Sequence, residues 1–209
     1  MYSPSLNKTI GKVGIILLAI ANCISVRNNE VSMTAMYTST TIGQIEQTAL
    51  MRGEILVQTR PHSTWGGAVT ACMYLPMQRS QVWQQLTDYP RWVQYFPDVI
   101  QSEVLQRGEV KRLYQVARKA FLIFTAQVEI YLNVFEEVQQ RIQFRMEKGT
   151  FTDFTADLNL QDCGIGTLLT YAVQATPNVP IPSIFIQQAM QFELPENMRK
   201  MRHAICKNQ

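Results

Sequence analysis

Between Ala126 and Val134 apolar and polar residues alternate without a break. Ala126, Val128, Ile130, Leu132 and Val134 fall on one side, Gln127, Glu129, Tyr131 and Asn133 on the other. A strand turns successive side chains to opposite faces, so a period of two predicts a β-strand with one buried face. The same scheme returns where Ile142, Phe144 and Met146 alternate with Arg141, Gln143, Arg145 and Glu147, and where Phe154, Ala156, Leu158 and Leu160 alternate with Asp153, Thr155, Asp157 and Asn159. Turn residues at Arg107-Gly108-Glu109, Glu136 to Gln140, Lys148-Gly149 and Asp162-Cys163-Gly164 punctuate Val99 to Ala175, which reads as hairpin after hairpin. An antiparallel sheet with one apolar face follows.

Upstream, β-favouring stretches at Glu54 to Val57 and Gly67 to Leu75 precede a proline. Pro76 suits a first helical turn, where its missing N–H costs nothing, and Arg79, Val82, Trp83 and Leu86 follow at helical spacing. Thr87-Asp88-Tyr89-Pro90 breaks the helix, because a residue before proline is pushed out of the α region, and a second short helix carries Trp92, Val93 and Phe96 up to Pro97. After Val179-Pro180-Ile181-Pro182, Ser183 can cap a helix with an apolar stripe of Phe185, Ala189, Phe192 and Leu194. Pro195 should kink or restart it, and Met198, Met201 and Ile205 continue the stripe. One sheet with helices at its sequence ends is an α+β layout in which the last helix packs across the apolar face.

The first fifty residues differ in character. Lys8 and Lys12 precede the apolar run Val13 to Ala21, and Ala19-Ile20-Ala21 offers the small-x-small spacing of a signal-peptidase site. The run is too short to cross a bilayer core of ~30 Å. Residues 8–26 are thus signal-like, with an extension of little order as the blander alternative, and Asn28 to Gln47 reads as a polar linker. The expected division is an N-terminal extension over residues 1–50 and a folded domain over 51–209.

Composition narrows the function. A net charge of +3 without dense Lys/Arg clusters makes nucleic acid a poor partner. Cys23, Cys72, Cys163 and Cys206 form no C-x-x-C pair and read as free thiols of a reducing, cytoplasmic compartment, with export the lesser reading. With only His62 and His203 the chain offers no H-E-x-x-H, no G-x-S-x-G and no three-histidine metal site, and no cofactor is expected. Gly164-Ile165-Gly166 sits between two strands and reads as a hairpin turn rather than a dinucleotide loop.

Asp153 and Asp157 share the polar side of one strand, roughly 13 Å apart, which suits a solvated face better than paired acid–base work. Tyr131 and Tyr171 can donate to a bound carbonyl, although a buried tyrosine more often bonds nearby backbone. Arg199, Lys200, Arg202 and Lys207 can meet an anionic membrane surface in transient, peripheral contact, or simply complement the negative end of the helix dipole.

Leu75-Pro76, then Val82-Trp83-Gln84-Gln85-Leu86-Thr87-Asp88-Tyr89 and Tyr95-Phe96-Pro97, resemble the opening of START-like proteins of the polyketide cyclase/dehydrase and lipid-transport type, nearest to the coenzyme Q-binding START-domain subgroup. Gly149-Thr150-Phe151, Leu168-Leu169-Thr170-Tyr171 and Val179-Pro180 to Leu194-Pro195-Glu196-Asn197 fit the same pattern, so the resemblance spans nearly all of residues 67–206. It implies a helix-grip fold: a curved seven-stranded antiparallel sheet around a long C-terminal helix, two short helices after the first strand, and a cavity between helix and sheet.

The resemblance also implies binding of a lipid, an isoprenoid quinone or a polyketide, and carries over no catalytic residue. The inward-facing positions expected to line the cavity are Val128, Ile130, Phe144, Met146, Phe154 and Tyr171, with Phe185 and Ala189 from the last helix. A carrier without catalysis is the leading expectation. The alternatives are a cyclase or dehydratase using Tyr171, or a module gripping a macromolecule through basic clusters such as Lys111-Arg112 and Arg118-Lys119.

Overall fold

The computed structural model describes residues 44–120, 125–178 and 183–207. The signal-like segment and most of the linker lie outside the described residues. Helix α1 (Gln44–Met51) leads into strands β1 (Leu56–Ser63) and β2 (Gly66–Leu75). Helix α2 (Arg79–Leu86), a 3-10 turn at Tyr89–Arg91 and helix α3 (Trp92–Tyr95) come next. Six strands then run in succession: β3 (Val99–Gln106), β4 (Val110–Ala120), β5 (Thr125–Glu137), β6 (Arg141–Gly149), β7 (Phe151–Cys163) and β8 (Gly166–Pro177). Helix α4 (Ser183–Lys207) ends the chain.

The strands form one antiparallel sheet in the order β1-β2-β8-β7-β6-β5-β4-β3. This is the α+β helix-grip layout, with one correction. The sheet has eight strands rather than seven, and the short helices follow the second strand, because β1 adds an edge beside β2. Pro61 lies within β1 and is tolerated there because an edge strand has one side that needs no ladder hydrogen bond.

Alternation sorts the faces as expected. Leu132 and Val134 of β5, Ile142 and Phe144 of β6, and Ala156, Leu158 and Leu160 of β7 are buried in one core with Met73 and Leu75 of β2. On the other face Arg112 pairs with Glu147, and Asp157 with Arg141 and Arg145. The sheet is not one-sided throughout. At β2 and β8, Leu50 of α1 packs on Tyr74 and Leu168 of the outer face, so the stretch read as linker is helical from Gln44 and covers that patch.

The breaks between α2 and β3 are held by side chains that satisfy backbone carbonyls. Thr87 Oγ1 donates to Trp83 O at 2.9 Å, Trp92 Nε1 to Leu86 O at 2.9 Å, and the buried Ser102 Oγ to Tyr89 O at 2.7 Å. Thr167, also buried, donates to Met77 O at 2.8 Å. Buried carbonyls left unpaired cost about 1–3 kcal/mol each, so these side-chain donors stabilise the chain at the helix ends. Tyr89 OH donates to Glu136, which Lys111 Nζ meets at 2.5 Å.

Helix α4 is a single helix with Pro195 inside it. Its buried stripe is Ile186, Met198, Met201 and Ile205, with Leu194 packed against the core. Phe192, expected in that stripe, points outward and is 65% exposed. The stripe advances by three or four residues per step, and Phe192 lies on the opposite side of the helix from it.

Two stability outcomes follow. Phe144 is 2% exposed and packs on Trp92, so Phe144→Ala should cost about 3–5 kcal/mol in urea unfolding. A Cβ on Gly149 would lie 2.6 Å from the backbone oxygen of Glu129, so Gly149→Ala should lower stability by about 1–3 kcal/mol on the same assay.

Candidate functional site: the open part of the inner face

The inner face is closed unevenly. Near its β5–β6 end Phe144 meets Trp92 at 5.2 Å and Tyr89 at 6.1 Å between ring centroids, the latter edge to face. Aromatic pairs in these geometries add about 0.5–1.5 kcal/mol beyond the area they bury. Helix α4 makes its closest sheet approaches to β1 and β2. A Cβ on Gly67 of β2 would lie 3.1 Å from Ile186 Cγ2 and 3.4 Å from Met190 Sδ, so a glycine at this site lets the helix settle.

Between these two closures the inner face keeps partial exposure. Met146, Phe151, Phe154, Tyr171 and Val173 pack on the core yet are only half-buried, and Val128 is half-buried as well. Phe151 and Phe154 stack at 5.6 Å. Ladder register places Val173 opposite Ala156 and Ala175 opposite Phe154, so these residues form one strip across β6, β7 and β8.

The expected lining residues therefore divide. Val128, Met146, Phe154 and Tyr171 belong to the half-buried set. Ile130 is buried, and Phe144 is plain core with its ring taken up by Trp92 and Tyr89. Phe185 and Ala189 fall on α4, but their side chains lie outside the described residues. Phe151 and Val173 join the strip without having been expected. Val173 could have been found from its place two residues after Tyr171, whereas Phe151 is brought inward by an irregularity between Phe151 and Asp153 that no alternation reveals.

Tyr171 supplies the polar feature of the strip. Its hydroxyl has no hydrogen-bond partner among the described residues, contrary to the usual habit of buried tyrosines. Burial pushes its phenol well above the ordinary range, although part of its surface stays accessible. Gln115 faces inward from β4, opposite Ile130, but its Nε2 is spent on Ser102 Oγ at 3.1 Å.

The other residues singled out from the sequence lie elsewhere. Tyr131 stands on the outer face, 4.7 Å from Tyr114 between centroids, with Lys148 Nζ 4.4 Å above its ring. Asp153 Oδ2 lies 2.7 Å from His62 Nε2 in a hydrogen bond, while Asp157 engages arginines, so the two carboxylates serve different partners. Cys72 and Cys206 are free thiols whose pKa values are raised by burial, and Cys163 is free too. Two surface depressions, of about 370 Å³ between α3 and α4 and about 430 Å³ beside the β7–β8 turn, are lined by no residue of the strip.

No helix among the described residues is long and apolar enough to cross a membrane. Among curated proteins, no sequence matches this chain. Solved structures share the fold at low identity. A START superfamily protein from Mycobacterium smegmatis aligns with a TM-score of 0.58 at 13% identity, over 75% of this chain and 100% of its own. A STAR-related lipid transfer protein fragment from Xanthomonas axonopodis gives 0.58 at 19%, over 72% and 93%. The Zhui aromatase/cyclase from a Streptomyces species gives 0.54 at 11%, over 73% and 93%. Residues 75–202, from the end of β2 to deep in α4, match the family described as polyketide cyclase / dehydrase and lipid transport, and the chain belongs to that family.

Proposed function

We propose that the chain binds a hydrophobic small molecule along the inner-face strip and carries it without chemical change, the cargo being an isoprenoid quinone or another lipid. The observation that carries this reading is the strip itself: five half-buried apolar or aromatic side chains, with one unpartnered hydroxyl among them. Covering such surface with ligand yields about 25 cal/mol per Å², enough for most of the affinity without fixed polar partners. Tyr171 then supplies orientation, donating to a carbonyl such as a quinone oxygen. The lipid transfer protein among the similar folds supports the same direction, and the free thiols Cys72, Cys163 and Cys206 suit a cytoplasmic carrier.

A second reading, a cyclase or dehydratase, is favoured by the same Tyr171 hydroxyl and by the similarity in fold to an aromatase/cyclase. It asks for more than one convergent polar group, because cyclisation must move a proton as well as polarise a carbonyl.

Native mass spectrometry of the full chain from its own host, followed by organic extraction, tests the carrier reading. Stoichiometric quinone or lipid is expected; a folded, empty protein that turns over a polyketide substrate would overturn it. Val173→Phe, which fills the strip from β8, should abolish co-purified ligand while leaving the melting temperature within a few degrees. Tyr171→Phe should weaken a carbonyl-bearing ligand by about tenfold, the worth of one hydrogen bond, and leave a hydrocarbon analogue unchanged in a competition assay.

A further inference from the structure

The solvent side of α4 carries a pattern that the strip does not use. Opposite the buried stripe, Phe192, Arg199 and His203 share one crest at spacings of seven and four residues, with Lys200 and Lys207 on the flank, all exposed. Phe192 is 65% exposed, and Ile184, two turns nearer the helix start, is 54% exposed. The β1–β2 turn is tied to the same corner by Ser183 N donating to Thr64 O at 3.2 Å, and its Trp65 is 44% exposed. Beside the basic half lies the depression of about 370 Å³ between α3 and α4, lined by Gln94, Pro97, Arg199, Lys200, His203 and Ala204.

The helix carries two acidic residues, Glu193 and Glu196, against Arg199, Lys200, Arg202, His203 and Lys207. Glu196 lies 3.4 Å from Arg199 and 3.8 Å from Lys200, all three well exposed, and such pairs contribute under about 1 kcal/mol. Complementing the helix dipole explains basic residues in the last turn, but Arg199 and Lys200 stand two turns before the helix end, beyond where that effect reaches. Nor does it explain large apolar side chains on the crest.

We propose that this face is a docking surface for a bilayer bearing anionic lipids, with Ile184, Phe192 and Trp65 entering the interface and Arg199, Lys200, His203 and Lys207 meeting headgroups. A helix with apolar and basic residues on its outward side lies in the interface plane, and tryptophan favours headgroup depth. Anionic phospholipid suits the depression between α3 and α4 because Arg199, Lys200 and His203 among its lining residues can meet a phosphate. The inference extends the carrier reading by naming where cargo is collected and delivered, and it is measured separately from cargo.

Sedimentation of the full chain with vesicles tests it, using phosphatidylcholine alone against phosphatidylcholine mixed with phosphatidylglycerol. Binding should favour the anionic vesicles and fall as salt is raised. Phe192→Ser should lower partitioning by roughly tenfold. Replacing Arg199 and Lys200 by glutamine should lower it by roughly fivefold per residue. These side chains are exposed, so the variants should melt with the parent protein. Equal binding to both vesicle types overturns the proposal. So does unchanged partitioning of the variants, which would place any membrane affinity in residues 13–21, or self-association through this face in place of vesicle binding. Loading of ligand from detergent by the same variants distinguishes the two readings: it should remain intact, and a protein that docks but never loads would leave the face standing while the carrier reading falls.

Discussion

The contact on which the rest depends is the meeting of Phe144 with Trp92 and Tyr89. It pins the short helices to the sheet's inner face at one end. Tyr89 can sit there because Pro90 stops the preceding helix and because Ser102 takes up the carbonyl that the break exposes. With that end plugged, and with α4 settled over β1 and β2 through Gly67, what remains between them is neither core nor surface. The strip of Met146, Phe151, Phe154, Tyr171 and Val173 lies on that part of the inner face, packed against the core and only half-buried.

Much of this was legible in the sequence, for identifiable reasons. The central parts of strands β5 to β7 alternate because one face meets the core and the other meets water, and the helix break at Thr87 to Pro90 is written in local backbone chemistry. Strand β1 was read only in part. Gln58, Thr59, Arg60, Pro61 and His62 carry no apolar alternation, since an edge strand needs pairing on one side and little burial on either. The position of α1 on the outer face was not legible at all, because Leu50 is buried by Tyr74 and Leu168, residues far along the chain whose approach no local pattern encodes.

The division of the lining residues was equally out of reach. Phe144 and Phe154 occupy equivalent places in their strands' alternation, and both are aromatic. One is sealed because Trp92 and Tyr89 arrive over it from another part of the chain; the other is half-open because α4 lies across β1 and β2. Binary pattern decides which face a side chain takes, but partners decide whether that face is filled. Phe192 shows the converse. Its apolar character placed it in the buried stripe, whereas helical geometry sets it among Arg199 and His203 on the outside.

The weight of a carrier against an enzyme turns on what a lone phenol can do. Desolvation raises the Tyr171 phenol above its ordinary range and so favours the protonated form, which can donate a hydrogen bond. A carbonyl held by one donor is oriented, and slightly polarised, but ring closure also requires a group to accept the proton released. Among the described residues the inward polar side chains include Thr59 of β1, opposite Val69, Thr167 of β8, whose hydroxyl donates to Met77 O, and Gln115 of β4, bonded to Ser102; none of the three can accept and hold a proton. Glu136, which could, is engaged by Tyr89 and Lys111 in a tight cluster that anchors the helix break. Within the proposed carrier reading, the apolar walls of the strip select a hydrophobic ligand and the Tyr171 donor orients it.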